Sequence, residues 1–425
     1  MRTTLLSLLL LALSAGCTHP EAPPADGRTP IRVALVMINT GQVGFYEWAE
    51  AEYEQRRPDI DIIIEQFPGT SLKDYEIKLR LQYASGQAPD IWSFRENELA
   101  PYVELGLLAP APASIQALVE SNSINDMVQQ APFFNGVCYG ITQHAGWQIL
   151  YYNKTHFREA GLTDPPTTWP ALIDYARRLA QYAPDGRLTR AGLSLRKTGY
   201  KQGTAEKWLT FFYSAGGMPF NEDGTESLFD SPAGHAAFNL YGTILAENLD
   251  TTEHEGDQRG FGQGHVAMFI REDHVIAWLN EHYPNLEYGV AALPALDSTM
   301  TSFSSGGAFP MVVSSTSNHQ NEAWAFLSFL FEDDVYLRYI RAVQAQPLLT
   351  SIAQRDEFIS HPQLSTYARQ AVYVPPKFPH DRNSLEIIGT YVERFVYGRI
   401  SAEEALRRMD EEITRQLQLN ASSIN

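Results

Sequence analysis

The residues able to do chemistry in this 425-residue chain are carboxylates, eleven histidines, many tyrosines and only two cysteines. His254-Glu255 is followed by Gln258, which leaves the His-Glu-x-x-His zinc pattern one ligand short. The chain has no Gly-x-Ser-x-Gly nucleophile turn and no Gly-Lys pair of a phosphate-binding loop. Gly260-x-Gly262-x-Gly264 has the wrong spacing for a dinucleotide turn and reads as a turn beside a helix. Tyr151-Tyr152 could suggest a tyrosine pair gripping ferric ion, but successive strand residues face opposite ways, so the structural reading is preferred. The histidines are scattered, so no cofactor and no metal are expected. Carboxylates are plentiful without one pair standing out, which leaves a glycosidase open on spacing alone.

The composition narrows the classes further. Lys and Arg number 32 against 50 Asp and Glu, a formal charge of −18. Without a basic block nothing would neutralise phosphates, so nucleic acid is not an expected partner. Arg2, the apolar run Leu5–Leu13 and Ser14-Ala15-Gly16 before Cys17 make residues 1–16 a secretory signal. The small residues before Cys17 resemble a bacterial lipobox, although Ser14 stands where Leu is usual. Lipidation at Cys17 is expected, the alternative being a plain cut near Ala15. Residues 17–30, with four prolines and little to bury, then form a tether. Cys138 has no disulfide partner and reads as an inert buried thiol.

The elements that would position any site alternate along the chain. Ile31–Ile38 is a near-continuous strand, Phe45, Trp48, Ala49 and Tyr53 follow at helical spacing, and Ile60–Phe67 is a second strand. Such a βαβ unit demands parallel strands and a right-handed crossover. A helix carrying Leu72, Tyr75 and Leu79 leads to a short strand at Asp90-Ile91-Trp92. Ile149–Tyr152 reads as a strand; Trp169, Leu172, Ala176 and Leu179 mark a helix, and Ala323, Phe326, Leu327 and Leu330 another. Ser401-x-x-Glu404 is a capping box opening a last helix with Ala405, Met409, Ile413 and Leu417 on one face. The fold class is α/β, with ligand sites expected at strand ends.

Several strings, in one order, resemble the extracellular solute-binding proteins of ABC importers, particularly the carbohydrate-binding cluster. They are Gly86-x-Ala88-Pro89-Asp90-Ile91, Tyr139-Gly140-Ile141, Leu150-Tyr151-Tyr152-Asn153-Lys154, Phe157–Leu162 and Pro166-x-Thr168-Trp169. Phe261-x-x-Gly264-x-x-Ala267-Met268, Tyr288-Gly289-Val290, Leu293-Pro294, Ser305-Gly306-Gly307 and Gly398–Leu406 continue the series. The resemblance implies a two-lobed periplasmic-binding-protein fold of type II, with a hinge of crossing segments and a cleft between the lobes. Residues 31–142 with 298–343 would form lobe 1, and 143–297 with 344–425 lobe 2. Crossings are expected near Thr142–Gly146, Leu293–Asp297 and Gln344–Pro347.

It also implies a monomeric lipoprotein at the cell envelope, anchored through Cys17, that passes a mono- or oligosaccharide, or a sugar phosphate, to permease subunits. A sensor docking on a membrane kinase and a secreted carbohydrate-active enzyme are the alternatives. The ligand-facing positions carried over are Asp90, Glu96, Gln143, His144, Trp147, Trp208, Arg271, Asp273, Phe303, Ser305, Gly306, Gly307 and Arg382, with His274 beside them. Carboxylates and amides would bond sugar hydroxyls, aromatics would stack on the ring, and Gly306-Gly307 would let backbone N–H groups come close.

Overall fold

The computed structural model describes residues 27–35, 40–67, 72–197, 199–250, 257–374, 377 and 383–422. The signal segment, Cys17 and Arg382 lie outside the described residues. Eight strands carry the architecture: β1 (Thr29–Leu35), β2 (Ile60–Gln66), β3 (Ile91–Ser93), β4 (Gly140–Trp147), β5 (Ile149–Asn153), β6 (Met268–Arg271), β7 (Tyr288–Ala291) and β8 (Gly306–Val313). A first sheet has the order β2-β1-β3-β8-β4, and a second the order β6-β5-β7.

In the first sheet β1 runs parallel to β2 and β3, as the βαβ pattern requires. The crossover is α1 (Thr40–Arg56), which buries Phe45, Tyr46, Ala49 and Tyr53. Trp48 is only half-buried, and the Arg338 guanidinium covers its ring at 4.2 Å. β1 is covered on both faces. Ile31, Val33 and Leu35 enter the largest core, while Ala34 packs with Tyr75 and Trp92. The β8 strand then pairs antiparallel with β3 and with β4.

The second lobe is built on β5, whose two faces are both buried. Tyr151 joins the large core and Leu150 the second, which is why the run reads as uniformly apolar. Around it pack α2 (Trp169–Leu179), α3 (Lys201–Ser214), α4 (Pro232–Ala246), α5 (Ser384–Val396) and α6 (Ala402–Ser422). Thr168 caps α2 by accepting the Ala171 N–H. Ala405, Met409, Ile413 and Leu417 form the expected face of α6, and the Ser401 hydroxyl accepts the Glu404 N–H. Cys138 is buried with its thiol against the Gly140 carbonyl, and burial pushes its pKa up to about 11.

The three crossings fall later in the chain than expected. β4 stays paired with β8 as far as Trp147↔Gly306, and β5 begins at Ile149, so the lobes exchange across Gln148 alone. The return passes through residues 303–306, and the Gln148 N–H bonds the Ser304 hydroxyl at 2.6 Å. The third crossing is at residues 371–373, where Ser304 N–H reaches Ala371 O and Tyr373 N–H reaches Ser304 O. Within residues 344–367, expected in lobe 2, Leu349 bridges Ser123 and the Thr350 hydroxyl donates to the Ser123 carbonyl, while Ala345, Leu348, Ile352 and Tyr367 enter the large core, which takes residues of both sheets. The turn at Gln344, taken with a positive φ of 53°, reverses the chain onto that core instead of crossing.

Candidate functional site

Between the lobes lies a cleft divided into two cavities of about 300 and 340 Å3. Both are lined by Arg95, Tyr200 and Glu206, which form the wall between them. Arg95 follows β3 in the first lobe, and Glu206 stands on α3 in the second. They form an ion pair across the cleft, and both are nearly buried at 8% and 6% exposure. Gly307 makes room for this pair, since a Cβ there would overlap the Arg95 guanidinium.

The inner, 300 Å3 cavity takes its first-lobe wall from Gln143, His144, Gly307, Phe309 and Met311. Consecutive strand residues should face opposite ways, yet Gln143 and His144 both line it. The cause is an irregularity opposite Phe309-Pro310, where His144 pairs with Phe309 but Thr142 with Pro310, leaving Gln143 as the extra residue. Pro310 has no N–H to continue the ladder, so the break falls there. The Gln143 Oε1 accepts the Tyr46 hydroxyl, while its buried Nε2 has no partner among the described residues.

The second-lobe wall carries Arg196, Gly203, Arg271, Glu272 and His274. Burial pushes His144 down to about 4 and His274 down to about 3, so both imidazoles are neutral at pH 7. Glu272 is the hub of this wall. It is paired with Lys207, accepts Gln148 Nε2 at 2.8 Å and Arg271 Nε at 3.0 Å. Burial raises its pKa, but Lys207 and Arg271 outweigh that and hold the carboxyl well below the ordinary range. Burial in turn pulls Lys207 down to about 8, with Glu272 opposing it.

The outer, 340 Å3 cavity is lined by Glu96, Ser305, Gly306, Tyr213, Tyr373 and Lys377 among others. Glu96 accepts the Ala308 N–H at 2.7 Å, and burial raises its pKa. Lys377 donates to the Ala131 and Phe133 carbonyls at 2.8 and 3.0 Å, and burial lowers it to about 8.

Of the residues expected to face a solute, Gln143, His144, Arg271 and Gly307 line the inner cavity, with His274, and Glu96, Ser305 and Gly306 the outer. Five others are placed elsewhere. Asp90 accepts the Arg32 N–H at 2.8 Å and the Ser317 hydroxyl, joining β1 to a turn. Trp147 is buried at the hinge, its indole N–H donating to the Tyr367 carbonyl at 3.0 Å. Trp208 is fully buried against Phe212 and Phe238 in the second core. Phe303 packs on that core with its backbone bonded both ways to the Ser214 hydroxyl. Asp273 sits behind Gly146, accepts the Gln346 N–H at 2.9 Å and is pushed up to about 6 by burial. The sequence reading missed Arg95, Arg196, Tyr200, Glu206 and Glu272, none of which carries a local spacing signal.

Polar and aromatic side chains on two facing walls suit capture of a polar solute between two surfaces. Comparison with known proteins agrees. A Brucella abortus (strain 2308) protein named only as a binding protein is 26% identical over 367 residues, covering 85% of this chain and 84% of its own. The maltotriose-binding protein of Pyrococcus abyssi is 22% identical over 341 residues, 77% of this chain and 69% of its own. The fold matches the cyclic alpha-maltosyl-1,6-maltose binding protein of Arthrobacter globiformis with a TM-score of 0.78 at 20% identity, over 92% of this chain and all of that one. Residues 48–366 match the family profile itself, and the chain therefore belongs to the bacterial extracellular solute-binding proteins.

Proposed function

We propose that the chain captures a carbohydrate between its lobes and delivers it to an ABC permease, without any covalent step. The observation that carries this is the divided interlobe cleft. Its walls hold arginine, glutamate, glutamine and neutral imidazole side chains, the planar donors and acceptors that hydroxyl groups pair with. Tyr200, Phe309, Tyr213 and Tyr373 supply apolar faces for the C–H side of a sugar ring. The relatives' names point the same way: a maltooligosaccharide solute-binding lipoprotein of Streptococcus pneumoniae and an sn-glycerol-3-phosphate-binding protein of Escherichia coli are among them.

A solute touching both walls binds the closed arrangement better than the open one, and that difference is the signal a permease can read. The Arg95–Glu206 pair sets the spacing of the walls where it would bind. Attachment through a lipid on Cys17 belongs to the same proposal. The mass of the N-terminal peptide from membranes tests it, an unmodified Cys17 speaking against it.

The test of the function is a thermal-shift screen against mono- and oligosaccharides, polyols and sugar phosphates. A ligand at a hundredfold excess over its dissociation constant stabilises the folded state by about 2.7 kcal/mol, which raises the midpoint. A rise with one sugar class, with the sugar recovered unchanged, is expected. A flat response to every class would contradict the proposal.

A further inference from the structure

The cleft is divided by two charges that come from different lobes. Arg95 follows β3 in the first lobe, Glu206 stands on α3 in the second, and their side chains pair where the two cavities meet. Both are buried. Arg95 lies over the Phe309 ring, 5.8 Å from its centroid, and fills the space that a Cβ at Gly307 would take. Because each lobe supplies one charge, the partition exists only while the lobes are apposed. A solute lying across that line would hold them apart.

Parting the pair is costly for a neutral solute. Both buried charges would then have to be satisfied by hydroxyl dipoles alone, which recover only part of the attraction in a low-dielectric site. On either side of the pair the room is small. The inner cavity offers about 300 Å3 and the outer about 340 Å3, the low end of the roughly 300–1,000 Å3 of small-molecule sites and enough for about one or two sugar rings.

A second observation points to the inner cavity as the one that is filled. Gln143 lines it, is buried at 4% exposure, and keeps an Nε2 donor with no partner among the described residues. The Tyr46 hydroxyl donates to its Oε1, so the amide is held with Nε2 left for an incoming oxygen. The outer cavity also has an unpartnered oxygen, Asn97 Oδ1, but Asn97 is partly exposed.

We infer that the Arg95–Glu206 pair selects the solute by length: a carbohydrate of about one or two rings sits in the inner cavity, and the pair closes it off from the outer one. A third ring overruns the inner cavity and meets the pair. This rests on the carbohydrate reading above and goes further in assigning the size of the solute and the two residues that limit it.

Titration calorimetry with the full chain tests this on ladders of one to four rings: glucose to maltotetraose, glucose to cellotetraose, xylose to xylotetraose and mannose to mannotetraose. In a ladder that binds, affinity should be greatest at one or two rings and fall at least about tenfold by four. Affinity that holds or rises to four rings would overturn the inference and leave the carbohydrate receptor standing. A solute outside these ladders found in the thermal screen is judged in the same way, two rings or fewer supporting the inference and three or more overturning it. If the ladders and the screen are both flat, the carbohydrate reading falls and the inference with it. The double variant Arg95→Ala/Glu206→Ala removes both charges, so that neither is left buried and unpaired. It should raise the ratio of four-ring to two-ring affinity at least about tenfold over the wild type. An unchanged ratio in the folded variant would overturn the inference, and if the variant does not fold the wild-type ladders decide.

Discussion

Single residues decide the character of the cleft. Glu96, Gln143, His144 and Ser305-Gly306-Gly307 were legible in the sequence because each adjoins a string whose place in the fold the resemblance supplies. Arg95 and Glu206 were not, because an ion pair between two lobes has no spacing to read. Trp208 and Trp147 misled for the opposite reason: an aromatic at helical or strand spacing looks the same whether it faces core or cleft. The buried imidazoles give a residue-scale prediction. The pKa of His144 is about 4 in the folded protein and near 6.5 unfolded, so the unfolded chain binds more protons between these values. Stability is therefore fully present above pH 6.5 and is lost as pH falls towards 4, by at most about 1.4 kcal/mol per pH unit for this group. Urea melts of the wild type and His144→Gln between pH 4.5 and 7 should show a shallower slope in the variant. Equal slopes would mean that His144 does not titrate as the burial implies.

Elements were read more securely than residues, for a physical reason. Periodicity reports which face is buried, and it identified α1 and α6 and the parallel β1–β2 pair. It does not report how closely two elements approach. The α5 helix crosses the first turn of α3 at Gly389, where a Cβ would overlap the Lys201 carbonyl. Gly389→Ala should thus cost about 1–3 kcal/mol in spite of alanine's better helix propensity. An unchanged urea midpoint would show that α5 and α3 can part without penalty. The same limit applies at β4, where the irregularity at Pro310 turns two adjacent side chains to the cavity. A strand read by strict alternation would have sent one of them away.

At the scale of the molecule the two-lobed fold was legible, and the crossings were not. The boundary depends on where strand pairing ends, and β4 and β8 stay paired through to Trp147 and Gly306. Sequence pattern does not reveal pairing length between strands so far apart in the chain. The consequence is a hinge of three adjacent segments, at 147–149, 303–306 and 371–373, tied together by Ser304 and stiffened by Gln148 bonded to Glu272. Motion about such a hinge would carry α3 relative to β4 and β8, so a solute touching both walls of the cleft joins the two lobes.

Hydrogen exchange with and without the sugar found in the screen tests that claim most directly. The account predicts that ligand slows exchange together in the Gln143–Trp147 strand, around Ser305–Gly307 and along the Lys201–Ser214 helix. Protection confined to one lobe, or lying away from the Arg95–Glu206 pair, would contradict it.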